Sequence, residues 1–261
     1  MPSSVPPNGG GARILCAARI LCGLGNPGAT YRNTRHNAGY MVVDRLAARF
    51  GAEFGATPDD YLAAEIEIRD EASGEETVCA LIKPLTYMNR SGIAAFQAFE
   101  RYDADVPDFL AIYDDTALPL GTVRTKSGGG DGGHNGVKSL LERVDRAFPR
   151  LRVGVGDDFP KGGLVDYVLD EFDDEEAPDL ERALERAERL AEAFAQGGAK
   201  RMFDLNARLA QEDKAREKEN ASDEGSSGEE DRSDEGSSGE EDRSDEGSSG
   251  EEDRSDVEAP G

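Results

Sequence analysis

From Ser222 to Arg254 the chain repeats SDEGSSGEEDR three times without a change, and from Gln211 onward it has almost no large apolar residue. Such a segment cannot bury enough apolar surface to offset the entropy of ordering itself. Its period carries no hydrophobic face either, which excludes a solenoid. At the other end, Met1 to Gly11 is rich in glycine and proline, and ARILC occurs twice, at Ala12 and Ala18, so the first copy reads as lying outside the fold. The sequence therefore divides into a mobile extension over 1–17, one globular domain over 18–210 and a disordered acidic tail over 211–261. The tail suits a solubilising surface, a partner-binding segment or an internal competitor for cationic sites.

Of the net charge of −25, residues 211–261 carry −15, with 21 acidic groups against 6 basic ones, and the remaining −10 belongs to the rest of the chain. With 7 lysines against 23 arginines, this balance resembles that of proteins from salt-rich cytoplasm. In molar salt the Debye length falls to about 3 Å, and self-repulsion is screened. One window departs from the acidic background. Arg124 to Arg152 holds Arg124, Lys126, Lys138, Arg143, Arg146, Arg150 and Arg152 against Asp131, Glu142 and Asp145, a net of +4. Cationic residues kept against an acidic background are what a polyanion would need; part of the window also suits the solvated face of a helix.

Cys16, Cys22 and Cys79 have no metal-type spacing and form no even framework, which fits buried or free thiols in a reducing compartment. Ile14 to Leu24 is apolar but broken by Arg19, and no later run approaches the length of a membrane span. The expectation is a cytoplasmic protein without a membrane partner.

Within the domain, Ala18 to Leu24 reads as a central strand, because its apolar residues run together instead of alternating. It empties into GNPGATYRNTRHNAGY, and a helix follows over Met41 to Phe50. Tyr61 to Ile68 and Val78 to Ile82 form a strand pair, and Thr86 to Asn89 fall in the loop after the second strand. Ile93, Phe96, Phe99 and Tyr102 recur every three residues as the core stripe of a helix whose amino end is capped from Asn89 to Ser91. Phe109 to Tyr113 is a strand that delivers Asp114 and Asp115; Thr122 to Lys126 is another, leading into SGGGDGGHNG. His134 and Asn135 introduce a helix, and Arg150 to Val155 alternates as a strand with Arg150 and Arg152 on one face. Helices over Pro178 to Gln196 and Lys200 to Ala210 close the domain. Strands mixed with helices in this order predict an α/β fold, a single three-layer domain with a twisted mixed sheet flanked by helices.

GLGNPG satisfies the glycine pattern of dinucleotide sites, but Pro27 removes an amide and the first clear helix begins near Met41, so no helix amino terminus stands ready for a pyrophosphate. SGGGDGGHNG lacks the lysine and hydroxyl ending of a P-loop and suits a mobile gate. There is no serine elbow, no cysteine in a nucleophile context and no ligand-spaced metal cluster. Acid and base chemistry on water remains. A histidine whose tautomer is fixed by a carboxylate can deprotonate water, while side-chain amides stabilise an oxyanion. His36, Asp114, Asn26 and Asn89 follow apparent strands and can meet at one end of the sheet; each alone also suits a capping or satisfied polar role.

GLGNPGATYRNTRHNAGYMVVD, KPLTYMNRSG, IYDDTALPLGTVRTKSGGGDGGHNGVKS and RLRVGVG together resemble bacterial-type peptidyl-tRNA hydrolase in order and spacing. The resemblance implies hydrolysis of the ester joining a peptide to the 3′ end of tRNA, which recycles tRNA from aborted translation, by a monomer with no metal and no cofactor. It implies His36 as the base and Asp114 as the carboxylate that orients it. Asn26, Asn89 and Asn135 match the amides that bind substrate and position water. Tyr31 matches an aromatic residue at the tRNA end, Tyr87 a common phenylalanine, and Met88 the peptide channel. Arg124, Lys126 and Arg152 match cations on tRNA phosphates, and His134 belongs to the gate. Where relatives read D-D-L-D-L-P, this chain has Thr116 and Ala117 after its two aspartates, and Tyr113 replaces a common histidine; rim effects are expected. The same fold also occurs in non-catalytic RNA-binding splicing factors, which is the rival reading.

Overall fold

The computed structural model describes residues 19–71, 74 and 76–226. The extension over 1–17, Cys16 within it, and the acidic repeats beyond Ser226 lie outside the described residues. Seven strands form one mixed sheet: β1 (Arg19–Gly23), β2 (Gly55–Ala56), β3 (Tyr61–Arg69), β4 (Glu76–Pro84), β5 (Phe109–Asp115), β6 (Val123–Ser127) and β7 (Pro149–Gly154), in the order β2-β3-β4-β1-β5-β7-β6. The central four, β4, β1, β5 and β7, are parallel, and the flanking pairs are antiparallel.

The unbroken apolar run of β1 has a direct consequence. Leu21 joins the core beneath α1 (Ala38–Arg49) and α5 (Ala177–Ser226), whereas Ile20 and Cys22 join a second core beneath α2 (Ser91–Tyr102) and α3 (Asn135–Arg143). A strand covered on both faces cannot alternate. The three-layer α/β expectation is met.

Four local expectations need correction. Helix α1 starts at Ala38, three residues before Met41, after single 3-10 turns at Ala29–Tyr31 and Arg35–Asn37. Helix α2 buries Ala94, Ala95, Ala98 and Tyr102, whereas Phe96 is 45% exposed and Ile93 and Phe99 are only partly covered. Its face is set by close approach: a Cβ on Gly92 would stand 2.1 Å from the Ser139 carbonyl oxygen of α3, so only small side chains fit there. Nor is α2 capped by a side chain; Arg90 holds the cap position, and the Ser91 hydroxyl donates to the Met88 carbonyl.

The fourth concerns the chain's end. Both expected terminal helices are present as segments of α5, joined at Gly198, whose φ of 67° only glycine adopts freely. The chain reverses there, since Arg186 donates to Asp213. The helix runs past Ala210 to Ser226, so residues 211–226 are helical, unlike the disordered tail expected from Gln211. Alanine, glutamate, lysine and arginine give QEDKAREKEN high helix propensity without any apolar face. A six-residue helix, α4 (Leu164–Leu169), was not foreseen at all.

Replacing Gly92 by alanine gains helix propensity of about 1 kcal/mol but forces α2 and α3 apart. We expect net destabilisation of about 1–3 kcal/mol, read as a melting temperature lower by about 2–4 °C per kcal/mol in a domain of this size. A Gly92→Ala variant as stable as the parent would show that the helices do not approach so closely.

Candidate active site

Because β1, β4 and β5 are parallel, their carboxyl ends lie on one edge of the sheet. Past β1 the chain presents Asn26, past β4 it presents Tyr87, Met88 and Asn89, and β5 carries Asp114 near its end. The turn before α1 adds His36, and the start of α3 adds His134 and Asn135. These residues line a cleft of about 290 Å³, with Asp131, Gly132 and Gly133 on one wall and Leu164, Val165, Val168 and Leu169 of α4 on another.

Asp114 is the centre. It is 2% exposed, and its Oδ1 and Oδ2 lie 2.9 and 3.0 Å from His36 Nδ1. His134 Nε2 lies 2.9 Å from Oδ1 on the other side, and the two imidazole centroids are 4.9 Å apart. The Nδ1 atom of His134 accepts from the backbone amides of Gly136 and Val137, at 3.1 and 3.2 Å, capping α3. Its proton therefore sits on Nε2 and is donated to Asp114. By the same logic His36 donates from Nδ1, which leaves Nε2 as its basic nitrogen, turned to the cleft. Burial alone would raise the Asp114 pKa, but the two imidazoles outweigh it and hold the carboxyl well below the usual aspartate range.

His36, Asp114 and His134 bring ligand-type atoms within 4.8 Å of one another. Their hydrogen bonds do not suit a cation. A metal on His134 Nε2 would place the ring proton on Nδ1, facing two amide N–H groups. The thiol of Cys22, pushed up strongly by burial, is equally unsuited to nucleophilic work, and that of Cys79 is pushed up to about 12 by the same cause.

Asn26 is held from three directions. Its amide N–H donates to Asn37 Oδ1 at 2.8 Å, Asn37 Nδ2 donates to its carbonyl at 3.0 Å, and its own Oδ1 accepts the Met88 N–H at 2.9 Å. The side-chain Nδ2 is left as a donor at the cleft. Asn37, one of the polar residues of the loop after β1 to which the sequence assigns no particular role, is thus what fixes Asn26. The absent signal is a contact between loops, which a single sequence does not display.

The remaining expected residues divide. Asn89 and Asn135 are exposed at the cleft, and Met88 is buried in its floor. Tyr87 stands at the mouth, 56% exposed, with a φ of 56° that is strained for a non-glycine residue. Thr116, one of the unusual rim residues, lines the cleft. Tyr31 is partly exposed and does not line it. Nor do Arg124, Lys126 and Arg152, which sit on the β6–β7 ribbon where Arg124 pairs with Arg152 and Lys126 with Arg150 in register. Arg124 and Lys126 are exposed, whereas Arg152 Nε is engaged by Asp115 at 2.5 Å. Arg150, counted among the cations open to a polyanion, is 1% exposed.

A carboxylate-oriented imidazole, a fixed amide and an apolar wall on a mixed α/β sheet form the kind of arrangement that general-base hydrolysis requires. The model of the peptidyl-tRNA hydrolase family matches residues 20–216. A peptidyl-tRNA hydrolase of Syntrophomonas wolfei is 40% identical over 181 residues, covering 69% of this chain and 94% of that protein. One from Bacillus subtilis is 41% identical over 175 residues, covering 67% and 90%. The crystal structure of peptidyl-tRNA hydrolase from Acinetobacter baumannii superposes with a TM-score of 0.63 at 30% identity, covering 71% of this chain and 92% of that one. The chain belongs to the peptidyl-tRNA hydrolase family.

The depressed Asp114 carboxyl contributes stability that is complete above the ordinary aspartate pKa of about 3.9 and is lost as pH falls through the lower folded value. Asp114→Asn should therefore cost about 1–3 kcal/mol near neutrality, with the gap narrowing as the pH is taken from about 5 to 3. Urea midpoints across that range test it; a gap independent of pH would contradict the paired carboxylate.

Proposed function

We propose that this protein hydrolyses the ester between peptide and tRNA in peptidyl-tRNA by general-base activation of water. The observation that carries the reading is the His36–Asp114 pair opening onto a cleft with one polar and one apolar wall. His36 Nε2 takes a proton from water as its oxygen bonds to the ester carbonyl carbon. Asn26 Nδ2 donates to the oxyanion that forms. The intermediate then collapses, the carbon–oxygen bond to the ribose breaks, and His36 returns the proton to the departing 3′ oxygen. The products are a peptide carboxylic acid, which gives up its proton to solvent at neutral pH, and tRNA with a free hydroxyl. A base of this kind supplies about 10²–10⁴-fold, and a single oxyanion donor about 10²–10³-fold.

Asn89 and Asn135 would hold polar atoms of the peptide and the terminal nucleotide. Met88, Leu164, Val165 and Leu169 would pack on the peptide side chains, and Tyr87 and Tyr31 would meet the nucleotide end. The exposed cations of β6, Arg124 and Lys126, would follow the tRNA backbone, with Arg152 joining them if phosphate displaces Asp115. We further propose that the protein works as a monomer in the cytoplasm, without metal or cofactor, and that its acidity is an adaptation to high salt.

The decisive experiment compares N-blocked with unblocked aminoacyl-tRNA. Cleavage of the blocked form alone is expected, with His36→Ala losing turnover by about 10²–10⁴-fold while keeping tRNA affinity. Binding without cleavage by the parent protein would favour an RNA-binding role instead. Separately, Lys126→Ala should weaken tRNA binding alike for all sequences and reduce the slope of log affinity against log salt by about 0.7–0.9. An unchanged slope would remove Lys126 from the phosphate track.

A further inference from the structure

Strand β6 runs antiparallel to β7, so the chain leaves it at Ser127, opposite Pro149, on the edge of the sheet away from the cleft. It must then climb the length of β7 to bring His134 to Asp114. It does so as Gly128–Gly133, in which Asp131 is the one residue that is not glycine, and Gly128, Gly129, Gly132 and Gly133 have positive φ. Such a segment offers almost no side chain to pack and loses the most backbone entropy on ordering. Something outside it must hold it in place.

Backbone bonds hold the segment's first residues, from the Gly128 N–H to the Phe148 carbonyl and from the Gly129 N–H to the Arg146 carbonyl, both at 3.2 Å, and the side-chain fastening is Arg150. Its Nη1 donates to the Gly130 carbonyl at 2.5 Å and its Nη2 to the Gly129 carbonyl at 2.6 Å, while the guanidinium lies 4.6 Å over the Phe148 ring. The side chain is 1% exposed, and among the described residues it has no carboxylate partner. Its Nε is buried without a hydrogen bond. A buried cation without a counter-ion is costly, and here the return is two loop carbonyls held by one planar fork. Arg150 also acts on Tyr113, whose ring packs edge-on to His134 at 4.9 Å.

We propose that Arg150 is a positioning residue: by pinning Gly129 and Gly130 it sets where the glycine segment delivers His134 onto Asp114 and Asn135 into the cleft. It touches neither substrate nor reacting atoms. Loss of the fork leaves the His36–Asp114 pair intact but lets one wall of the cleft wander, so binding must select the ordered fraction. The kinetic arm rests on the function proposed above; the loop arm does not.

The test uses the full chain with Arg150→Lys and Arg150→Met. Lysine keeps the charge but cannot hold two carbonyls in one plane. Amide hydrogen exchange is followed at Gly128, Gly129 and His134, whose N–H groups are bonded in the parent, and at β1 and β5 as reference. Protection at the three loop amides is expected to be largely lost in both variants, leaving the segment ordered about one tenth of the time, with the reference strands unchanged. KM for N-blocked aminoacyl-tRNA should then rise by about tenfold, because apparent affinity scales with the ordered fraction, with kcat within about threefold. If Arg150→Met does not fold, Arg150→Lys decides alone. Parental loop exchange in the lysine variant would overturn the proposal. So would exchange rising equally throughout the sheet, or a loosened loop with unchanged KM. If the parent protein cleaves nothing, the exchange data still judge the latch, and only the proposed function fails.

Discussion

The structure depends on one buried carboxylate. Asp114 accepts from two imidazoles carried by segments 78 residues upstream and 20 residues downstream, and each contact dictates something about the fold. His36 reaches it because β5 lies beside β1 and α1 starts directly behind the turn that holds the histidine. His134 reaches it because the glycine segment crosses from one edge of the sheet to the other. An aspartate at 2% exposure with a single neutral partner would pay heavily for its burial; two N–H donors make the charge tolerable and at the same time fix the tautomer of each ring.

The same reasoning changes how the basic residues are read. Net charge in the window from Arg124 to Arg152 suggests one cationic surface, but the structure splits it. Arg124 and Lys126 face solvent, Arg152 is neutralised by Asp115, and Arg150 is internal. A second internal arginine stands next to the candidate base. Arg35, 4% exposed, donates to the Glu171 carbonyl and to Glu176, and its guanidinium lies over the rings of Tyr167 and Phe172 at 4.3 and 5.1 Å. It secures α4, the apolar wall of the cleft, as Arg150 secures the glycine wall. Arginine suits this work because its fork binds carbonyls and its plane stacks on rings.

Strands were legible in the sequence wherever an apolar run broke abruptly into polar residues, as at Cys22 to Asn26 and Tyr113 to Asp115. The candidate base and its carboxylate were reached through residue types in those loops together with the family resemblance. What periodicity could not supply was the identity of the neighbour. In α2 the larger residues Ile93, Phe96 and Phe99 suggest the buried stripe, yet the partner helix comes so close that the alanines take the core face. Helix α4 escaped notice because it has six residues and leaves Leu164, Val165 and Leu169 substantially exposed. The roles of Asn37 and Arg150 were equally hidden, since their partners are backbone atoms of other loops. The helical continuation after Ala210 shows the reverse case, in which local propensity holds without any core.

The fastening of the cleft separates two kinds of parts. His36, Asp114 and Asn26 are tied to strand ends and to the first turn of α1 by short bonds from several directions. Each wall is tied by one guanidinium together with a few other bonds, from the Gly128 and Gly129 N–H groups to the Phe148 and Arg146 carbonyls on one side and from the Arg35 N–H and the Tyr167 hydroxyl to the Asp170 and Val155 carbonyls on the other. Displacing a wall breaks the bonds that fasten it and leaves the His36–Asp114 pair and Asn26, each held by bonds of its own, in register. A ligand as large as the acceptor end of a tRNA needs room at the mouth more than it needs motion at the reacting carbonyl. In this arrangement adaptability is confined to the walls, and the geometry that water activation requires stays with the sheet.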